Sequence, residues 1–256
     1  MRFLLEIAYD GTAYHGSQRQ PNGLSVQEVL ENALGTILRQ PVTTTFAGRT
    51  DAGVHAKQMF VHFDWEGEAA SFGQHTLANR LNALLPPDIA VYDCLPVADT
   101  MHARFSARSR TYEYHVTERK DPFAVHHAAR VALGLDYAKM NDAAKELLGR
   151  HDFASFCKVH TDVKTTFCTV TEAYWQNQVF TITADRFLRN MVRAIVGTIL
   201  DVGRGMLTIE QFREIIEKKD RCSAGTSVPG NALFLADITY PEDVFLEHEP
   251  LDRRSQ

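Results

Sequence analysis

The chain has 256 residues, of which 45% are hydrophobic and 23% charged, which is enough material for one large domain or two small ones around a real core. Its net charge of −5 argues mildly against a nucleic-acid partner, and no apolar run is long enough to span a membrane. Cys94, Cys157, Cys168 and Cys222 form neither a C-x-x-C pair nor a zinc spacing, which fits free thiols in a reducing cytoplasm.

The N-terminal "RFLLEIAYD" carries Glu6 and no cleavage site, so it reads as a strand rather than a leader. "SVQEVLENALGTILRQ" has apolar residues at helical spacing and a Ser25–Glu28 capping box. Val42–Ala47 is β-branched and Thr-rich. Met59–Trp65 alternates, with Met59, Val61, Phe63 and Trp65 on one face and Phe60, His62 and Asp64 on the other. Between these runs lies "GRTDAGVHA", a loop bracketed by Gly48 and Gly53. A helix near His75–Leu85, stopped by Pro86-Pro87, and a strand at Ile89–Leu95 complete a β-α-β-β-α-β order.

The order then recurs. "SRTYEYHV" opens it as a strand, and a helix over Asp136–Leu148 has Gly149 as its C-cap. Strands are expected at Thr165–Trp175 and Val179–Ala184, and helices at Phe187–Val202 and Thr208–Lys219, the latter with a Thr208–Gln211 box. "ALFLADITY" is the last strand. The fold class is therefore α+β, with two pseudo-equivalent halves, 1–100 and 101–245, forming a mixed central sheet with a cleft between them. An acidic tail follows at 246–256. Six acids lie between residues 237 and 252 with no Lys or Arg. Setting them aside leaves 26 acidic against 27 basic residues, so the body is nearly neutral and the placement of its arginines decides what it binds.

Three stretches could carry chemistry. In the Gly-bracketed loop, Asp51 could close an Asx-turn with Arg49 solvated, or the two could form a site with His55. In "RTYEYHV", Tyr112 and Tyr114 share a face and could be cross-strand packing or a wall for a planar ligand. In "DRFLRNMVRAIVGTIL", Arg186, Arg189 and Arg193 recur along the margin of an apolar stripe. They could form a solvated edge or a row facing phosphates or a buried carboxylate. There is no phosphate-binding glycine motif, no H-E-x-x-H or H-x-H, no G-x-S-x-G elbow and no RNA-recognition-motif string. Nucleotide-cofactor and metal sites therefore lack support.

"GRTDAGVHA" (Gly48 to Ala56) resembles the catalytic motif of the TruA family of tRNA pseudouridine synthases. "YDGTAYHGSQRQP", "HARFSARSRTYEYHV", "FLRNMVRAIVG" and "AGTSVPGNALFLADITYP" resemble further family segments in the same order, so the likeness spans residues 2 to 241. Ser17 stands where many members have an aromatic, and Ala232 where a glycine usually precedes the last motif's "LxL".

The resemblance implies conversion of uridine to pseudouridine in the tRNA anticodon stem-loop, at positions 38 to 40, by a cytoplasmic homodimer with no cofactor and no metal. By position it makes Asp51 the nucleophile, Arg193 its cationic partner and Tyr112 the ring packed on the flipped base. Arg49 would help displace that base, and Leu233 would line the substrate site. Arg104, Arg108, Arg110, Arg186 and Arg189 are the candidates for phosphate contact. Two readings from other classes stand beside this one: a non-catalytic RNA-binding module, and a metal-dependent phosphoesterase using Asp51 and His55.

Overall fold

The structure, a computed structural model, describes residues 1–67, 74–158 and 164–245. The expected acidic tail at 246–256 lies outside the described residues. In chain order the elements are β1 (Arg2–Tyr9), α1 (Val26–Leu38), β2 (Thr44–Phe46), β3 (His55–Asp64), α2 (Gln74–Leu84) and β4 (Ile89–Val97). There follow β5 (Ser109–Thr117), β6 (Ala129–Arg130), α3 (Tyr137–Lys145), β7 (Gly149–Asp152), β8 (Phe167–Gln176), β9 (Val179–Ala184), α4 (Met191–Gly203), α5 (Ile209–Lys218) and β10 (Leu233–Thr239).

One mixed sheet runs β4-β1-β3-β10-β5-β9-β8-β7, with β2 added beside β3 and β6 beside β5. Along the main path every pairing is antiparallel except β3–β10, which is parallel, with Phe234 opposite His55 and Leu235 opposite Ala56. That exception positions the site. Because β3 and β10 run the same way, the loop entering β3 (residues 47–54) and the loop entering β10 (residues 224–232) emerge at the same end of adjacent strands.

Two hydrophobic clusters flank this seam. One gathers α1, α2 and β1–β4, and the other α3–α5, β8 and β9. They interlock: Val54 belongs to the second cluster, Leu235 and Ile238 belong to the first, and Tyr112 packs against both. Met59 to Phe63 are all buried, so over this stretch neither face of β3 meets water despite its sequence alternation, and only Lys57 and Asp64 of the strand are exposed. Both faces of a strand this central are covered, at roughly 1.5–3 kcal/mol for each large apolar side chain removed from water.

Helix starts follow the capping residues. The Ser25 side chain accepts Glu28 N–H, and both bonds of the Thr208–Gln211 box are formed. Several boundaries differ from expectation. α4 begins at Met191, not Phe187, because Asn190 adopts φ 67 and spends its side-chain amide on Ser227 Oγ at 2.6 Å. The apolar stripe continues across this break because Leu188 is buried in the same cluster. Arg186 and Arg189 are consequently outside the helix, and the expected arginine row does not exist. Gly149 is not a C-cap: α3 ends with Glu146 as its cap, and Gly149 opens β7. The short β6 and β7 have no counterpart in the sequence reading, and His55 is the first residue of β3 rather than part of the loop.

Candidate active site

The loop before β3 is held chiefly at Thr50. Its N–H donates to Ser17 Oγ at 2.9 Å, its carbonyl accepts Ser17 N–H at 3.2 Å, and its hydroxyl bonds Tyr9 Oη at 2.9 Å. Ser17, Thr50 and Tyr9 are all buried. Beyond Asp51 the loop turns through Gly53 at φ 74, a left-handed conformation that glycine adopts without a Cβ clash. Gly48 has nothing within 4 Å of where a Cβ would sit, so of the two glycines bracketing the loop only Gly53 is required by its backbone conformation.

This anchoring leaves the Asp51 carboxylate about one-third exposed, with Oδ2 3.2 Å from Arg193 Nη1. Arg193 lies in the first turn of α4. Its Nε donates to Val228 O at 2.7 Å, while its own carbonyl accepts Val228 N–H at 3.2 Å. The guanidinium is thus divided between a carboxylate and a backbone carbonyl rather than paired bidentately with Asp51. The loop that supplies Val228 can lie on α4 because Gly197 has no Cβ: one built there would stand 1.9 Å from Thr226 O. Arg221 organises the same loop, donating to Ala224 O, Gly225 O and Ser227 Oγ.

Tyr112 stands on β5 opposite Leu235 and Ile182, with Phe187 edge-on at a centroid distance of 4.9 Å. Burial pushes its hydroxyl up to about 12, with Arg110 opposing and Asp51 adding to the rise. At neutral pH it is a protonated phenol. Tyr114, its alternation partner, is fully buried and donates to Pro229 O at 3.0 Å, the packing role that strand tyrosines usually have. Leu233 is 6% exposed, at the start of β10, and is part of the core.

The other arginines separate by what they touch. Arg110 donates to the carbonyls of Ala107, Asp185, Ala47 and Arg104, a structural clasp that leaves it little to offer a phosphate. Burial lowers its pKa from the usual arginine value. Arg49, Arg104, Arg108 and Arg189 are exposed, and Arg186 is half-buried. His55 is withdrawn from Asp51. Its Nε2 lies 2.9 Å from His126 O and 3.0 Å from Asn231 O, and its Nδ1 lies 3.0 Å from Gly11 N. Two carbonyls require Nε2–H to be the donor, so Nδ1 accepts the Gly11 N–H. Asp10, His55 and His127 cluster closely enough to suggest cation ligands, but that bond already uses the Nδ1 lone pair. The three residues read as a clasp joining the start of β3 to the 126–127 and 231 segments.

Local pattern does not reveal Tyr9, Ser17 or Arg221. Thr50 lies in the Arg49–Asp51 loop that the sequence already singles out, Tyr9 and Ser17 lie in a segment that carries the family resemblance, and Arg221 lies in none of those segments. The two supports converge on one contact between residues 142 positions apart in the chain.

Comparison with known proteins bears on what that contact is for. A family model described as tRNA pseudouridine synthase matches residues 143–241. The tRNA pseudouridine synthase A of Bacteroides thetaiotaomicron is 56% identical over 96% of this chain and 93% of its own length. That of Parabacteroides distasonis is 55% identical over 95% and 98%, and that of Bacillus subtilis 39% over 94% and 99%. The chain belongs to the tRNA pseudouridine synthase A family. It is accordingly an isomerase. The region matched by the family model holds Arg193 and Leu233, while Asp51 and Tyr112 fall in the part aligned through the full-length relatives. No helix among the described residues is long and apolar enough to cross a membrane.

Proposed function

We propose that this isomerase converts uridine to pseudouridine in the anticodon stem-loop of tRNA, at positions 38 to 40, with Asp51 as nucleophile. The observation that carries the reading is the half-buried Asp51–Arg193 contact beside a protonated Tyr112. The N-glycosidic bond breaks, the base turns, and the sugar rejoins at C5. The C5 hydrogen leaves as a proton, and N1 ends protonated. A carboxylate that forms and then releases a bond to the nucleoside divides this into two easier steps.

Each residue has a distinct task. The Arg193 guanidinium presents a fixed positive charge to Asp51 and holds its rotamer. The target base must leave its stack, at a cost of roughly a few kcal/mol. The Tyr112 ring returns about 1–3 kcal/mol by packing on it. A hydroxyl titrating near 12 suits that wall, or a proton donor, better than a general base. Arg49, exposed two residues before Asp51, fills the space the base vacates in this reading. Exposed Arg104, Arg108 and Arg189 are the phosphate-contact candidates. The active unit in this reading is a cytoplasmic homodimer, and the reaction draws on no cofactor or metal.

The test is incubation of the protein with unmodified tRNA transcript in the presence of a chelator, followed by mapping of pseudouridine. Product within the anticodon stem-loop is expected. Its absence, or product confined to another arm, would contradict the reading.

A further inference from the structure

Between β4 and β5 the chain raises Phe105 into solvent, 75% exposed. A single exposed apolar residue is ordinary. The backbone beneath this one, however, is pinned at nearly every position. Met101 O accepts from Arg2 Nη1, and Ala103 O accepts from the Tyr240 hydroxyl. Ala103 N–H donates to His62 Nδ1 at 3.0 Å, and Arg104 O accepts from Arg110 Nη2. Inside the turn, His102 Nδ1 accepts the N–H groups of Arg104 and Phe105 at 3.1 and 3.4 Å, and Ser106 Oγ accepts His102 N–H at 3.0 Å.

The ring is supported as firmly as its backbone. His102 lies 4.4 Å from it, centroid to centroid, and itself meets the buried His62 at 4.9 Å. The Arg104 guanidinium stands 5.7 Å from the Phe105 centroid. The same Arg110 guanidinium that holds Arg104 O also reaches Ala47 O, at the start of the loop leading to Arg49 and Asp51. One side chain therefore ties the Phe105 turn to the candidate active site.

We propose that Phe105 is a stacking platform for an unpaired nucleobase of the tRNA, next to the uridine that enters the Asp51 site. Arg104 and Arg108 are exposed on this turn and residues 101–110 contain no acid, a surface suited to a polyanion. A preorganised aromatic beside a guanidinium accepts any base by its π-face and loses little freedom on binding. The inference rests on the tRNA reading above and adds to it a base-binding position outside the catalytic pocket.

The test uses the full chain and unmodified tRNA transcript. Phe105→Ala should weaken tRNA binding roughly tenfold, with melting temperature and turnover at saturating tRNA unchanged because the side chain touches neither core nor reacting atoms. Phe105→Trp should keep the affinity, and its indole fluorescence should be quenched by tRNA, while wild type, whose Trp65 and Trp175 are buried, serves as the blank. Wild-type affinity in Phe105→Ala, loss of self-association in place of RNA affinity, or an indole indifferent to saturating tRNA would each overturn the proposal. Binding by wild type without pseudouridine formation would sink the catalytic reading alone. No binding by wild type would sink both.

Discussion

The two ends of the Asp51–Arg193 contact rest on different supports. Arg193 stands on a helix, where the backbone ladder fixes its Cα and Val228 O fixes its Nε. Asp51 stands on a loop with no ladder, and the neighbouring Thr50 is held instead by two hydroxyls and one N–H from residues 9 and 17. A helix position tolerates the loss of any single bond. A loop positioned by a few buried hydroxyl contacts does not, since each lost partner leaves a buried polar group unpaired. Small changes to the contacts that support Asp51 should therefore reach the chemistry more directly than equally small changes to the contacts that support the Arg193 backbone.

Short of the carboxylate itself, the largest loss is expected at Arg193. Arg193→Lys keeps a positive charge but cannot serve Asp51 and Val228 O at once, so turnover should fall about 10- to 100-fold with tRNA affinity retained. Arg189→Lys, in the exposed turn before α4, should stay within about twofold of wild type. Equal small losses in single-turnover assays would mean that Arg193 is only a helix margin.

A smaller effect separates the loop from the rest of the core. Ser17→Ala orphans the Thr50 N–H and should cost about 1–3 kcal/mol of stability. It should also lower turnover several-fold. Ser155→Ala removes a similarly buried hydroxyl, bonded at 2.6 Å to Ile215 O in the other cluster, and should cost comparable stability without slowing turnover. If both variants melt earlier and neither slows, or both slow alike, Ser17 has no particular link to Asp51.

The smallest effect concerns acid. Burial, with the charges of Arg2 and His102, lowers His62 from 6.5 to about 4. Between those values the unfolded chain binds a proton that the folded chain refuses, so stability should decline as pH falls from about 6.5 to about 4 and this contribution should then level off. His62→Asn, which can still accept from Ala103 N–H, should flatten melting temperature against pH across that window. An unchanged profile would remove His62 as the cause.

The same contrast explains what the sequence reveals. β9 and α5 carry their own periodicity and caps, and they fall where the pattern places them within a residue or two. The start of α4 does not, because the Asn190 conformation depends on Ser227, 37 residues away, while Leu188 prolongs the apolar stripe past the break. β6 and β7 exist only as partners of longer strands. Asp51, Tyr112 and Arg193 lie in stretches that local pattern marks as candidates with bland alternatives, and only the family resemblance gives them roles. The Tyr9–Thr50–Ser17 contacts join positions 33 and 41 residues apart and leave no periodic trace. Arg110 looks in sequence like any RNA-facing arginine, and only the fold shows four carbonyls around it.

The central claim is that the Asp51 carboxylate attacks the nucleoside, and release of the C5 hydrogen tests it most directly. Transcript carrying tritium at uridine C5 would be mixed with excess wild-type or Asp51→Asn protein in single-turnover experiments, with tRNA binding measured on the same preparations. Wild type should release tritium from the anticodon stem-loop, and Asp51→Asn should bind tRNA equally and release none above background. Tritium release by Asp51→Asn at a rate near wild type would contradict the account.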